Sequence, residues 1–200
     1  MSAIHEHCLG AAQTLSPDLT DALQRLGPLH LPCDDSQPLA ERLARSVAGQ
    51  QLSVKAAGTI WSRVCAAAGE GPLLDFLDPR NEKTLRACGL FGAKTAAVYA
   101  IAFEARENGL TREALKNLGA PERARRLTAI KGVGPWTADM VNLFYFGEED
   151  IWPEGDVTAR KTLISLTSKR RKTVRSAERF APYRSYLALY MWRWVDARPD

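Results

Sequence analysis

The chain has 200 residues, 46% of them hydrophobic, and 27 Lys and Arg against 23 Asp and Glu give it a net charge of +4. This length and hydrophobic content suit one domain or two closely joined lobes, and they exclude an intrinsically disordered chain. The small positive charge is compatible with a polyanionic partner but does not indicate one by itself.

The cysteines and the apolar runs narrow the class of protein further. Four cysteines stand far apart without a Cys-x-x-Cys pair, which predicts reduced thiols. The longest apolar run, 96–103, is too short to span a membrane, and no basic segment followed by an apolar run marks a signal peptide. We therefore expect an intracellular protein without membrane contact, cytoplasmic if the source is bacterial.

Helical patterns fill the first part of the chain. Residues 1–15 are weakly patterned and are expected to form a loose arm, whereas Ser16-Pro17 predicts the N-cap of a helix that ends near Gly27. A loop containing Asp34-Asp35 follows, where the carboxylates are typical of turn residues rather than of metal ligands. Apolar residues spaced by four predict the next helix over 36–50.

A short polar link, Gly49-Gln50-Gln51-Leu52-Ser53, separates that helix from the next one. Ser53 is a suitable N-cap for a helix that continues to about residue 68. Further helices are predicted from Asp78-Pro79 to Gly89, over 95–108 after a glycine-flanked turn, and from 111 onward. No alternating run is long enough for a strand, so the fold class is all-α.

The segment Leu127 to Asp139 contains the most informative pattern, Leu-Thr-Ala-Ile-Lys-Gly-Val-Gly-Pro-Trp-Thr-Ala-Asp. Two glycines around one valine form a tight turn, and Pro135 suits the first position of a new helix. The pattern predicts helix, hairpin and helix, with N–H groups directed outward where a phosphate oxygen could bind. An ordinary corner between two helices also favours glycine, but it does not require the complete string.

The last part of the chain supplies a second group of candidate residues. Gly155-Asp156 precedes a helix predicted to reach about residue 168, and this position alone indicates an N-cap. The basic run 169–172 is either solvated surface or a DNA contact. The final helix contains several aromatic residues, of which Tyr190 and Trp194 are expected in the core.

Together, the hairpin string, the Gln-Gln-Leu-Ser link and an aspartate 20 residues after Trp136 resemble the helix-hairpin-helix DNA glycosylase superfamily. The similarity is greatest to its 3-methyladenine DNA glycosylase II branch and covers about 39–196. It implies one helical core over 1–200, with two lobes, the motif at about 122–146 and the active site in the cleft between lobes. Because few residues precede Leu39, the β-rich domain of some relatives is not expected. No cysteine follows Cys88, so no iron–sulfur cluster is expected.

The resemblance also assigns roles to individual residues. It makes Asp156 the catalytic carboxylate, which would stabilise positive charge on the deoxyribose and orient or deprotonate a water. Because only an ionised carboxylate can do this, activity should fall in acid. Bifunctional relatives carry a nucleophilic lysine where this chain has Trp136, which predicts a monofunctional enzyme. The alternatives are a non-catalytic helix-hairpin-helix module, which would not need Asp156, and a bifunctional glycosylase/lyase.

The remaining expected site residues fall into three sets. The base pocket contains Trp136, Met140 and Trp192. A monovalent cation, Na⁺ or K⁺, is expected on the main-chain carbonyls of Thr128, Ile130 and Val133. Either Gln51 or Leu52 is expected to be the wedge that fills the gap left by an extruded base. The complete set of expected DNA contacts is Gln51, Leu52, Lys94, Lys131, Gly132, Gly134 and Thr137.

Stacking and charge predict which bases are released. An indole contributes about 1–3 kcal/mol per stacked base, and a cationic base gains roughly 0.5–2 kcal/mol more from the ring face. The three histidines all precede Leu39, so no general acid for a poor leaving group is evident. We expect a monomer that needs no catalytic cofactor, binds damaged duplex DNA and excises cationic alkylated bases rather than neutral oxidised ones.

Overall fold

The computed structural model describes residues 2–197, and within them it contains α-helices and two short 3₁₀ turns but no strand, so the all-α prediction is confirmed. No helix in this range is long and apolar enough to cross a membrane. The helices are α1 (Ala3–Gln13), α2 (Pro17–Leu26), α3 (Leu39–Gly49), α4 (Val54–Ala68), α5 (Leu73–Phe76), α6 (Glu82–Cys88), α7 (Ala93–Asn108), α8 (Arg112–Leu115), α9 (Ala120–Thr128), α10 (Pro135–Phe144), α11 (Val157–Leu166), α12 (Thr173–Ala177) and α13 (Arg184–Asp196).

The chain divides into two compact units. The central unit comprises Asp34–Val141, and the terminal unit comprises Met1–Cys33 together with Asn142–Asp200. Each unit has its own buried apolar residues, such as Leu43 and Ile101 in the central unit and Leu23 and Leu187 in the terminal unit.

The N-terminal segment is a helix, and the expectation of a loose arm over residues 1–15 was wrong. His5 and Cys8 on α1 are buried, and His5 Nδ1 lies 2.6 Å from the hydroxyl oxygen of Tyr190 on α13. Burial also lowers the pKa of His5. The apolar pattern missed this helix because its buried face consists of a histidine, a cysteine and small alanines rather than large aliphatic residues.

Side-chain caps define several helix starts, as the sequence predicts. The hydroxyls of Ser16, Ser53 and Thr111 each accept a hydrogen bond from the backbone N–H three residues later. Each cap satisfies one of the N–H groups that a first helical turn leaves unbonded. The turns between helices are therefore positioned by local sequence, including the turns that carry the candidate site.

Candidate functional site

The predicted helix, hairpin and helix are present as α9, a turn over 129–134, and α10. Val133 N–H donates to the carbonyl of Ile130 at 3.0 Å and closes the turn. Gly132 has a φ of +87°, a conformation that residues other than glycine rarely adopt. Lys131 is exposed beside the turn. The motif therefore presents its backbone and the exposed Lys131 at the surface of the central unit.

The two hairpin positions 132 and 134 are occupied by glycine for different structural reasons. A Cβ added at Gly132 would lie 2.3 Å from the Cβ of Ala97, which is buried on α7. A Cβ added at Gly134 would meet no described atom within 4 Å. The fold therefore requires glycine at 132, whereas at 134 only an external partner that approaches the backbone closely would require it.

The carbonyls predicted to hold a cation belong to the same turn. Carbonyl oxygens are hard neutral donors of the kind that coordinate alkali cations in proteins. The Ile130 carbonyl accepts one hydrogen bond, from Val133 N–H, and keeps a second lone pair. The donor set thus fits Na⁺ or K⁺, and the site at Thr128, Ile130 and Val133 remains a prediction. Residues 2–197 contain no cluster of three His, Cys, Asp or Glu side chains suited to a metal.

The Gln50–Leu52 link is held in an unusual backbone conformation. Gln51 has a φ of +59°, and it is the single non-glycine residue with positive φ in the described part of the chain. Its side chain is exposed, and that of Leu52 is 40% exposed. Both wedge candidates are therefore accessible, and the backbone strain lies at Gln51.

Lys94 and Thr137 both hold this link from inside the central unit. Lys94 Nζ donates to the carbonyls of Ala48 and Gln50, at 3.0 and 2.6 Å. Thr137 is 1% exposed, and its hydroxyl accepts a hydrogen bond from Gln50 Nε2 at 3.0 Å. Burial excludes a DNA contact through the Thr137 side chain, whereas the predicted DNA contact at Thr137 stays a prediction for its main chain. The predicted phosphate contact of Lys94 remains a prediction beside this structural role.

The aromatic and acidic residues of α10 come next in the central unit. Trp136 is 38% exposed, and Met140 is partly buried. Asp139 lies three residues after Trp136, a spacing that places both on one side of the helix. Burial raises the pKa of the Asp139 carboxyl to about 6. No local sequence pattern predicts this pKa shift, since it depends on the tertiary surroundings of the carboxyl.

In the terminal unit, Asp156 and Trp192 are in direct contact. Asp156 caps α11, and its Oδ1 accepts hydrogen bonds from Ala159 N–H at 2.8 Å and from Trp192 Nε1 at 3.0 Å. The rings of Trp192 and Phe144 lie 5.8 Å apart at an angle of 37°. The predicted catalytic carboxylate and one predicted pocket residue thus share a site, and the predicted N-cap is confirmed.

The loop that leads to Asp156 is fixed by residues that the sequence analysis missed. Glu154 accepts hydrogen bonds from Trp152 Nε1 and from the hydroxyl of Thr173. Arg184 pairs with Asp150 through two hydrogen bonds, and the Ser185 hydroxyl donates to the carbonyl of Glu148. Most of these partners are separated by 19 to 37 residues, so no local pattern marks them. Their effect is to fix the approach of the chain to Asp156.

Comparison with known proteins gives consistent results. The sequence is 33% identical over 163 residues to DNA-3-methyladenine glycosylase 1 of Schizosaccharomyces pombe, covering 76% of this chain and 71% of that protein. It is 29% identical over 195 residues to DNA-3-methyladenine glycosylase 2 of Escherichia coli, covering 90% and 66%. No family model matches.

Solved structures agree with these sequence relationships. The S. pombe 3-methyladenine DNA glycosylase in complex with abasic DNA has a TM-score of 0.78 and 26% identity, over 96% of each chain. A DNA-3-methyladenine glycosidase from Bacillus halodurans has a TM-score of 0.81 and 25% identity, over 96% of this chain and 88% of that one. The resemblance predicted from the hairpin string is confirmed.

The glycine pair provides a first prediction. Gly132→Ala should lower the free energy of unfolding by about 1–3 kcal/mol, because the new methyl overlaps α7 and φ is positive. Gly134→Ala should change it by less than about 0.5 kcal/mol, yet weaken binding to damaged and undamaged duplexes alike. Urea denaturation and fluorescence anisotropy measure the two effects. Unchanged DNA affinity in a folded Gly134→Ala variant would remove this glycine from the interface.

Asp139 provides a second prediction, on stability and pH. Its carboxyl binds a proton more tightly in the folded state than at its ordinary pKa of 3.8, so folding stability falls as pH rises through about 6. Asp139→Asn removes this loss. The substitution should raise the free energy of unfolding by about 1–2 kcal/mol above pH 7, after allowance for solvent screening, but change it little near pH 4. Denaturation series at both pH values test this, with the exposed Asp18→Asn as control. A pH-independent gain would contradict the burial of the Asp139 charge.

Proposed function

The chain belongs to the DNA-3-methyladenine glycosylase family, and we propose on that premise that it removes alkylated bases from duplex DNA by hydrolysing the N-glycosidic bond. The observation that carries this proposal is the hydrogen bond from Trp192 to the Asp156 carboxylate at the start of α11. It joins a group able to stabilise a sugar cation to an aromatic ring able to contact a base.

Asp156 is the catalytic carboxylate of the proposed reaction. Loss of the base leaves positive charge on C1′ and the ring oxygen of the deoxyribose, and a fixed carboxylate stabilises that charge as it develops. The bonds from Ala159 and Trp192 hold Oδ1 in one orientation, so little reorganisation is needed during the reaction. The same carboxylate is suited to orient or deprotonate the water that attacks C1′.

Hydrolysis without strand cleavage follows from the residue after Pro135. A lyase needs an amine that attacks the sugar and forms a Schiff base, but this position holds Trp136. Lys131 precedes Gly132 in the turn, so it stands on the other side of the hairpin, where it is suited to a phosphate. The enzyme is therefore a monofunctional glycosylase, and a bifunctional mechanism is disfavoured.

Cationic alkylated bases such as 3-methyladenine and 7-methylguanine are the proposed substrates. They leave readily without a strong general acid, and indole faces attract their charge. Two of the three histidines are engaged elsewhere: His5 is bonded to Tyr190 inside the terminal unit, and His7 packs against the Tyr183 ring. Neutral oxidised bases lack both advantages, so they should be released poorly.

Base extrusion and duplex binding complete the proposal. The hairpin backbone, Lys131 and the exposed Gln51 and Leu52 would contact a duplex from which the damaged base is flipped. A monomer is sufficient for this role, with Na⁺ or K⁺ at the hairpin carbonyls as a structural ion. The lesion spectrum within the alkylated bases depends on the dimensions of the base pocket.

The test is Asp156→Asn, assayed on duplexes that each carry one lesion. Base release should fall by roughly 10²-fold or more, while affinity for damaged duplex is retained, because the amide keeps the size of the side chain but not its charge. Asp18→Asn, an exposed change in the same unit, serves as the control. Equal release by variant and wild type would remove Asp156 from the reaction. Wild-type release of 8-oxoguanine without any alkylated base would overturn the substrate class.

A further inference from the structure

A basic patch lies at the far end of α11 from Asp156. It comprises Lys169, Arg170, Arg171, Lys172 and Arg175, all of which are exposed. Four of these residues, with Ser168, line a pocket of about 370 Å³ that has no acidic residue in its wall. The segment 157–177 contains no Asp or Glu at all. Positive charge is thus concentrated in one concave part of the terminal unit.

The side chains of this patch have no partners within residues 2–197. Two other arginines of the same unit are paired, Arg25 with Asp21 and Arg184 with Asp150. Unpaired guanidinium groups that share a concave surface match the geometry of phosphate oxygens, which they bind through two parallel hydrogen bonds. The patch has the composition of a phosphate-binding surface rather than of a solvated charge network.

We propose that the basic patch binds the backbone of duplex DNA beyond the damaged nucleotide, as a second contact surface separate from the hairpin. This proposal rests on the proposed function, which places the reacting nucleotide at Asp156. The ten residues of α11 separate the two points by roughly 15 Å. Along one strand that distance covers about four phosphates, at about 3.4 Å of axis each. A duplex bound at Asp156 therefore extends far enough to reach the patch.

The experiment compares Arg170→Ala/Arg171→Ala with Arg63→Ala/Lys83→Ala, a pair that removes the same charge from exposed positions on α4 and α6. Binding to undamaged duplex is measured across a salt series. The patch variant should lower the slope of log K against log salt by about 2, since each neutralised contact contributes about 0.9. The control pair should leave the slope unchanged. An unchanged slope in the patch variant, or an equal loss in the control, overturns the proposal.

A second measurement locates the contact along the DNA. Duplexes that carry a stable abasic-site analogue are truncated to about three base pairs on one side and then on the other, which removes phosphates at the expected distance of about four. The patch variant should bind more weakly than wild type on the full duplex and equally on one truncated duplex. Equal defects on every duplex contradict the assigned distance. Failure of wild type to release any base would reject the proposed function but leave both binding results readable.

A second inference comes from an independent observation, the two anchors on Gln50. The carbonyls of Ala48 and Gln50 lie at the end of α3, where a helix leaves carbonyl groups unbonded. Lys94 Nζ donates a hydrogen bond to each of them. An ammonium group at a helix C-terminus also interacts favourably with the helix dipole. The Gln50 amide donates to the buried hydroxyl of Thr137 on α10. Gln50 is thus held through its main chain by α7 and through its side chain by α10.

The residue after this double anchor is Gln51, with its positive φ and exposed side chain. Such a conformation is costly for a non-glycine residue and persists where surrounding contacts impose it. The geometry points to Lys94 and Thr137 as positioning residues that hold Gln51 in the conformation in which it enters the duplex. Lys94 therefore acts through the link, instead of acting mainly as a phosphate contact.

Lys94→Met and Thr137→Val test this assignment, because both keep side-chain bulk and only the first removes a charge. Each should slow base release about tenfold when the lesion is paired, and less when it faces an abasic site, where extrusion is easier. Neither should change the salt slope on undamaged duplex. 2-Aminopurine fluorescence beside the lesion reads extrusion without base release, so it remains informative even if the proposed reaction is wrong.

Other outcomes would contradict the assignment. A slope reduced by about 1 in Lys94→Met alone identifies a phosphate contact. Equal slowing on paired and unpaired lesions, with a lower melting temperature, identifies a role in stability only. Wild-type extrusion kinetics in both variants show that the anchors do not position Gln51.

Discussion

The contact between the hairpin and α7 is the constraint on which the surface of the central unit depends. Gly132 approaches Ala97 so closely that no side chain fits between them. One turn earlier on the same helix, Lys94 holds the end of α3. One face of α7 is buried, including Val98 and Ile101, so this helix fixes two separate loops relative to one rigid element. The hairpin backbone and the Gln50–Leu52 link are therefore positioned by the same helix, although about 80 residues separate them in the chain.

The terminal unit achieves an equivalent fixation with side chains. The loop before Asp156 has no regular structure, and Glu154, Asp150 and Ser185 tie it to α12 and α13 through hydrogen bonds. A loop held in this way can place a carboxylate with the accuracy usually provided by a helix or strand. Trp192 then completes the arrangement by donating to the carboxylate, so one indole both orients the acid and presents an aromatic face.

Local sequence was sufficient where local chemistry decides the structure. The caps at Ser16, Ser53 and Asp156, the hairpin and the all-α class depend on residues within a few positions of each other, and these predictions were correct. The helix over Ala3–Gln13 was missed because its buried face depends on a distant tyrosine. The contacts of Lys94 and Thr137 with the α3 terminus were missed for the same reason: they join segments whose proximity exists only in the folded chain.

Four features that cost stability lie at or beside residues expected to contact DNA. Gln51 has an unfavourable φ, Asp139 has a partly buried carboxyl with a raised pKa, and Trp136 and Leu52 expose apolar surface. Simple substitutions at such positions, for example Asn at 139 or a polar residue at 52, should raise the free energy of unfolding. All four lie in two short segments of the central unit, 51–52 and 136–139, and a hydrogen bond joins Gln50, the residue before the first segment, to Thr137 in the second. Four unfavourable features beside one hydrogen bond are what is expected of a surface where binding takes precedence over stability.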